Sequence, residues 1–190
     1  MIGVGAVESM TAAAALRELE NSRVIRDAMI TERICFKTLT VPTPVTSRHV
    51  PTPISFVNCV LADVDAACEV FSAHVVFENC RIKKALLHAT YFLGGISVRN
   101  CRFQSDVDFQ AGGHNNQGAT VGLYDTVFEG FVNFADCLFL GPVEVRRCRF
   151  MKGTNLLGNR GDRGTEVEFH GGCLVDENVG DVAKNGEDAA

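Results

Sequence analysis

Between residues 75 and 150 the apolar positions come in pairs. They are Val75/Phe77, Cys80/Ile82, Ala85/Leu87, Thr90/Phe92, Ile96/Val98, Cys101/Phe103 and Val107/Phe109, then Val121/Leu123, Thr126/Phe128, Val132/Phe134, Cys137/Phe139, Val143/Val145 and Cys148/Phe150. Within a pair the step is two, which sends both side chains to one face of an extended strand. Between pairs the step is usually three, so one extra residue turns a corner before the next pair points inward. An α-helix does not present this alternation, and a plain strand keeps a constant step of two. Four pairs return the chain to its starting direction about 21 residues later, the separation of Cys80 and Cys101. The pattern predicts a coil.

Repetition at this period is the mark of a solenoid. Stacked turns ~4.8 Å apart are held by parallel ladder bonds, and Cys59, Cys80, Cys101, Thr126 and Cys148 then form one inward column. The segments Asn79-Cys80-Arg81-Ile82 and Ala135-Asp136-Cys137-Leu138-Phe139 resemble the pentapeptide-repeat family, which places a small residue two positions before a central Leu or Phe. The resemblance covers roughly 54 to 175, with Val or Cys preferred to Ala and several lengthened coils. It implies an all-β chain folded as a right-handed quadrilateral parallel β-helix.

Toward the N-terminus, residues 8 to 30 read as a helix. Ser9 or Thr11 can cap it, and Leu16, Leu19 and Ile30 lie among good helix formers. Its expected role is to cover the first coil, giving a cap over 1–33, a β-helix over 34–175 and an acidic, flexible tail over 176–190. Ile34/Phe36 and Leu39/Val41 look like the first pairs. The prolines between 42 and 53 mark a loop or terminal edge, because proline cannot donate to the ladder. The register over 62 to 74 is not fixed by the pattern, and Cys68 is left unplaced. Beyond Val175 the acidic stretch has too little apolar content to pack.

Composition sharpens this picture in two places. Thirteen Phe against two Tyr and no Trp suits a narrow bore, since Phe fills space without bringing a polar atom that needs a partner. Eight cysteines would suggest disulfides in a small secreted chain, but five fall on inward positions where a thiol is a small apolar filler. Cys35 and Cys173 sit beside the inward pairs Ile34/Phe36 and Gly172/Leu174, so both are expected to face out. There is no apolar run long enough for a membrane span and no secretory leader pattern; a cytoplasmic location is expected.

Three groups of residues are candidates for function. Insertions at Gln110–Thr120 and Gly158–Glu166 interrupt the same side of their coils, two coils apart. They offer His114, Asn115, Asn116 and Gln117 on one and Asn159, Arg160, Asp162 and Arg163 on the other, as two lips around Cys137–Phe139. Arg160-Gly161-Asp162 matches the integrin tripeptide, a match expected from chance. The second group is an outward row of Arg81, Arg102 and Arg149, interrupted by Val127, with Lys83, Arg99, Arg146, Arg147 and Lys152 nearby. The third is Asp106 and Asp108, which project from one face ~7 Å apart, a separation a glycosidase can use. On a flat sheet they equally suit a column of charge pairs with Asp63 and Lys84.

Fold alone does not imply function. The leading expectation is a non-catalytic scaffold or adaptor binding a protein partner or anionic ligand, without cofactor or metal; self-association through the terminal coil is a further option. A carbohydrate-binding or carbohydrate-active β-helix is the alternative. Some pentapeptide-repeat relatives mimic DNA and modulate gyrase with a strongly acidic rod. Here the net charge is −5, but up to Val175 there are 17 basic residues (18 less Lys184) against 18 acidic (23 less the five of the tail). A near-neutral rod with an arginine row imitates DNA poorly, and nucleic acid is not the expected partner either.

Overall fold

Extended pairs separated by single corner residues give each coil four sides, and the computed structural model shows them stacked. It describes residues 8–39, 41–42, 48–158 and 165–184. The first side is a seven-stranded parallel sheet through Val24–Arg26, Ile54–Val57, Val75–Glu78, Ile96–Arg99, Val121–Tyr124, Val143–Arg146 and Cys173–Asp176. The second and third sides share one sheet that bends. Arg81–Leu86 pairs below with Val60–Asp65 and above with both Arg102–Phe103 and Val107–Asp108. The fourth side runs through Arg48–Val50 and Glu69–Phe71, single bridges at Tyr91 and Gly113, then Leu138–Phe139 and Glu168–Phe169. The result is a parallel β-solenoid of about 6 turns with one helix. One pairing is antiparallel, Val41–Pro42 with Arg48–Val50, at the proline-rich edge.

The corners explain the step of three. Asp27, Asn58, Asn79, Asn100, Asp125, Arg147 and Glu177 stack at one corner with φ between 50° and 56°. This left-handed region is costly for most side chains and best tolerated by Asn and Asp. Here the amides also join into a ladder: Asn58 donates to Asp27 at 2.9 Å, Asn79 to Asn58 at 3.0 Å and Asn100 to Asn79 at 2.8 Å.

Inside, the pairs pile into columns. Phe103, Phe128 and Phe150 stack with centroids 5.0 and 5.1 Å apart, and Phe109 lies 4.9 Å from Phe134. The column Cys59, Cys80, Cys101, Thr126 and Cys148 is buried throughout. Its members also satisfy polar backbone: the Cys101 amide donates to Thr126 Oγ1 at 3.3 Å, and the Cys80 thiol donates to the Phe56 and Glu78 carbonyls. All eight cysteines are free, and Cys68 is exposed.

The structure departs from the sequence reading at both ends. The helix is Ala12–Asn21, not 8 to 30. Thr11 caps it by accepting from the Ala14 amide, Glu32 accepts from the Ala12 amide at 2.8 Å, and Ala12, Ala15 and Leu19 are buried toward the first coil. It stops because Arg23 takes φ 67°, and Ile25, Ala28 and Ile30 then follow the 3,2 rhythm as inward residues of the first coil. Glu8–Met10 is a strand, paired with Ala28–Ile30. Phe36 keeps its buried position but opens a short 3-10 helix, Phe36–Leu39.

At the other end the register is shifted by one from the expected pair. Cys173 lies over Val143 and Val175 over Val145, so both pack on the core while Leu174 is exposed. A slip of one flips every side chain to the other face, and Cys173 therefore turns inward. Residues 176 to 184 are not a loose tail. Val179 bridges Arg149, the Phe150 and Leu157 amides donate to the Val179 and Val182 carbonyls, and the Lys184 amide donates to Thr154. The acidic residues beyond 184 lie outside the described residues. No helix among the described residues is long and apolar enough to cross a membrane.

Candidate functional site

The arginine row stands in register. Arg81 pairs with Arg102, Arg102 with Val127 and Val127 with Arg149 on the outward face of the second side. Each arginine is exposed. One residue before each inward Cys or Thr lies the corner column, with Asp125 and Arg147. One residue earlier, at the end of the first side, comes the outward column Glu78, Arg99, Tyr124 and Arg146. Six guanidinium groups therefore gather around one corner of the rod.

Their partners divide them. Arg102 pairs with Glu129. Arg147 holds both oxygens of Asp125, at 2.7 and 2.9 Å, and this hydrogen-bonded contact lowers the Asp125 pKa and raises that of Arg147. Arg146 approaches Glu144 at 3.5 Å, and Arg99 lies 4.0 Å over the Tyr124 ring. Among the described residues Arg81 and Arg149 form no salt bridge and are free to meet an incoming anion. Exposed like charges a coil apart repel by only about 1 kcal/mol in water, so the row is tolerated without a ligand.

The paired-loop expectation is corrected. Gly113 bridges Tyr91 below and Leu138 above, so the fourth side continues through Gln110–Thr120 instead of being replaced. Asn115 is fully buried: its amide donates to the Ala119 carbonyl at 2.6 Å and the Pro142 carbonyl at 3.2 Å, and its oxygen accepts from the Gly141 amide at 3.0 Å. It holds the coil together and is not available to a partner. His114 stacks on Tyr91 with centroids 4.1 Å apart and bonds the Gly112 carbonyl, while Asn116 and Gln117 remain exposed. Asn159, Arg160, Asp162 and Arg163 lie outside the described residues, so the second lip is not placed.

Asp106 and Asp108 serve the coil. Asp106 accepts from the Phe131 amide at 2.8 Å; Asp108 accepts from the Gln110 amide at 3.0 Å and the Asn133 side chain at 3.1 Å. Lys84 lies in register with Asp63, but Asp63 pairs with Arg33 and Asp106 with Lys152; among the described residues Lys84 forms no ion pair with either carboxylate.

One pairing escaped the sequence reading. His74 Nε2 lies 2.9 Å from Ser97 Oγ, and His74 Nδ1 lies 3.0 Å from the Gly94 carbonyl oxygen. The histidine falls in the stretch whose register the pattern left open, so its neighbour one coil above was not legible. Among the described residues no group of three or more His, Cys, Asp or Glu is arranged to hold a metal ion. Comparison with protein-family models, with curated proteins and with solved structures gives no match.

Proposed function

We propose that this β-solenoid is a cytoplasmic scaffold of pentapeptide-repeat type, whose arginine corner holds a protein partner with an acidic surface. The observation that carries the reading is the in-register row Arg81, Arg102 and Arg149, with Arg81 and Arg149 outside any salt bridge among the described residues. Arginine suits this role because its rigid fork binds carboxylates through two parallel hydrogen bonds and is weakly hydrated. The ladder holds the backbone of the column fixed, so only the side-chain rotamers have to be ordered at the moment of binding. The free thiols fit a reducing compartment.

The test is co-purification followed by direct binding. A partner captured by the wild-type chain is expected to bind less tightly as salt rises. It is expected to be lost by a variant carrying Arg81→Glu, Arg102→Glu and Arg149→Glu that keeps the wild-type circular dichroism spectrum. Undiminished binding by that variant overturns the proposal.

A further inference from the structure

We propose that the first side of the solenoid carries a reactive serine, with Ser97 as nucleophile and His74 as its general base, acting on small carboxylic esters that bear an anionic group. The site shares Arg99 with the arginine corner, but its chemistry does not require a partner bound there, and the labelling of Ser97 reads it on the protein alone.

The hydrogen bonds of His74 set its tautomer. The Gly94 carbonyl oxygen can only accept, so Nδ1, at 3.0 Å, carries the hydrogen. In the neutral ring Nε2 then has a lone pair, and it faces the Ser97 hydroxyl at 2.9 Å. This is the arrangement a serine nucleophile needs: a base within hydrogen-bond reach, oriented by a third group. The ring has room because the next coil turns its corner on Gly95, at φ 85°, where a side-chain carbon would come 3.1 Å from Nδ1. Ser97 and His74 are both half-buried and reachable from solvent. Ser55, two coils below on the same outward column, has no histidine bonded to it among the described residues. His49 bonds Ser72 through Nδ1, but among the described residues no second bond fixes that ring's tautomer.

The surface above Ser97 is shaped as well. Gly122 follows Ser97 in the column, and the Tyr124 ring lies over it, where a side-chain carbon would come 2.3 Å from the ring. The Tyr124 hydroxyl donates to Glu144 at 3.1 Å, and the Arg99 guanidinium covers the ring at 4.0 Å. Arg99 projects from the same strand face as Ser97, ~7 Å along it, and forms no salt bridge among the described residues. A carboxylate or phosphate on the substrate can therefore meet Arg99 while the ester carbon lies at Ser97.

The step balances without further reagents than the ester and water. The Ser97 oxygen bonds to the acyl carbon as its proton passes to Nε2. The bond from that carbon to the leaving oxygen then breaks, and the departing alcohol takes the proton. Water attacks the acyl-serine in the same way, releasing the carboxylic acid and restoring Ser97.

A fluorophosphonate probe, followed by peptide mass spectrometry, reads the nucleophile directly. Ser97 is expected to be labelled while Ser55 and Ser72 are not, and His74→Ala and His74→Gln are each expected to slow labelling by about 100-fold or more. Hydrolysis of para-nitrophenyl esters reads the substrate class. Arg99→Ala is expected to raise KM for a succinate half-ester about tenfold more than for a neutral butyrate ester. Labelling of Ser97 no faster than Ser55, or at the wild-type rate in either folded His74 variant, overturns the proposal. An equal effect of Arg99→Ala on both esters overturns the anionic substrate class.

Discussion

Asn79 donates its side-chain amide to the side-chain oxygen of Asn58, one coil below, at 3.0 Å. Both residues take a left-handed backbone, φ 54° and 56°, so the ladder and the corner conformation rest on the same side chain. Asn79→Ala removes that bond and the one accepted from Asn100, each worth about 0.5–1.5 kcal/mol. It also leaves a Cβ in a conformation costing about 1 kcal/mol. Asn79→Gly loses the bonds but not to strain. The expected order of urea midpoints is wild type, then Gly, then Ala, the last about 2 kcal/mol down with an unchanged m-value. An Ala variant as stable as wild type would mean that the ladder contributes nothing.

Ala85 is undersized for its column. Ile34, Val64, Ala85, Val107 and Val132 succeed one another on the third side. A small cavity there is lined by Val64, Phe77, Ile82, Leu87, Val98 and Phe103, among others. Ala85→Val restores the column's usual shape and adds two carbons at about 0.8 kcal/mol each when fully buried. A rise of about 1 kcal/mol in unfolding free energy is expected. Ala85→Phe overfills the bore and is expected to lower stability.

Three of the packed thiols make stability fall in alkali, against the opposite pull of Cys101, whose pKa is lowered by its hydrogen bond with Cys80. Burial pushes Cys137 up to about 12 and Cys148 and Cys173 up to about 11, while an unfolded thiol titrates near ~8.5. Above that pH the unfolded chain has released protons that the folded chain retains. The stabilising contribution is therefore complete below ~8.5 and is lost as pH rises toward the folded values. Urea midpoints measured upward from neutral pH are expected to fall from about pH 9. At pH 8 exposed Cys68 should be alkylated first, and the core thiols only on global unfolding.

The parts of the fold that were legible in the sequence are those where large and small residues alternate without ambiguity. The row Arg81, Arg102, Val127 and Arg149 follows from the inward Phe and Cys positions beside it, because each outward residue is fixed by its inward neighbours. The rhythm failed where neighbouring residues satisfy two periods at once: Ile25, Ala28 and Ile30 suit a helix face as well as a coil. It failed again at Gly171–Gly172, which carry no side chain to mark a face, and Cys173 was turned outward by one step. Asn115 gave no hydrophobic signal, since a buried amide satisfied by backbone looks like a loop residue. His74 and Ser97 needed a register across 62 to 74, where Cys68 takes a left-handed corner at φ 61° that the pattern does not announce.

Asn115 offers the sharpest test of the corrected fourth side. Its amide donates to two carbonyls and its oxygen accepts from the Gly141 amide, with no exposure to solvent. Asn115→Asp keeps the shape but points an acceptor at the Ala119 and Pro142 carbonyls, so its ionised form is buried without donors. Its folded pKa is therefore expected to lie above the unfolded value of ~3.9. The folded state then tolerates the variant in acid, where the protonated carboxyl can donate to one carbonyl, and loses stability as pH rises above the unfolded value of ~3.9 toward the raised folded pKa. Asn115→Ala removes three hydrogen bonds and leaves the Ala119 carbonyl and the Gly141 amide unpaired, while the Pro142 carbonyl keeps the Val121 amide; the cost is about 1–3 kcal/mol for each group left unsatisfied, with little dependence on pH. Thermal unfolding of both variants at about pH 4 and pH 8 separates the readings. A residue on an open loop would leave both curves at the wild-type position, and that result would restore Asn115 to the partner-facing surface.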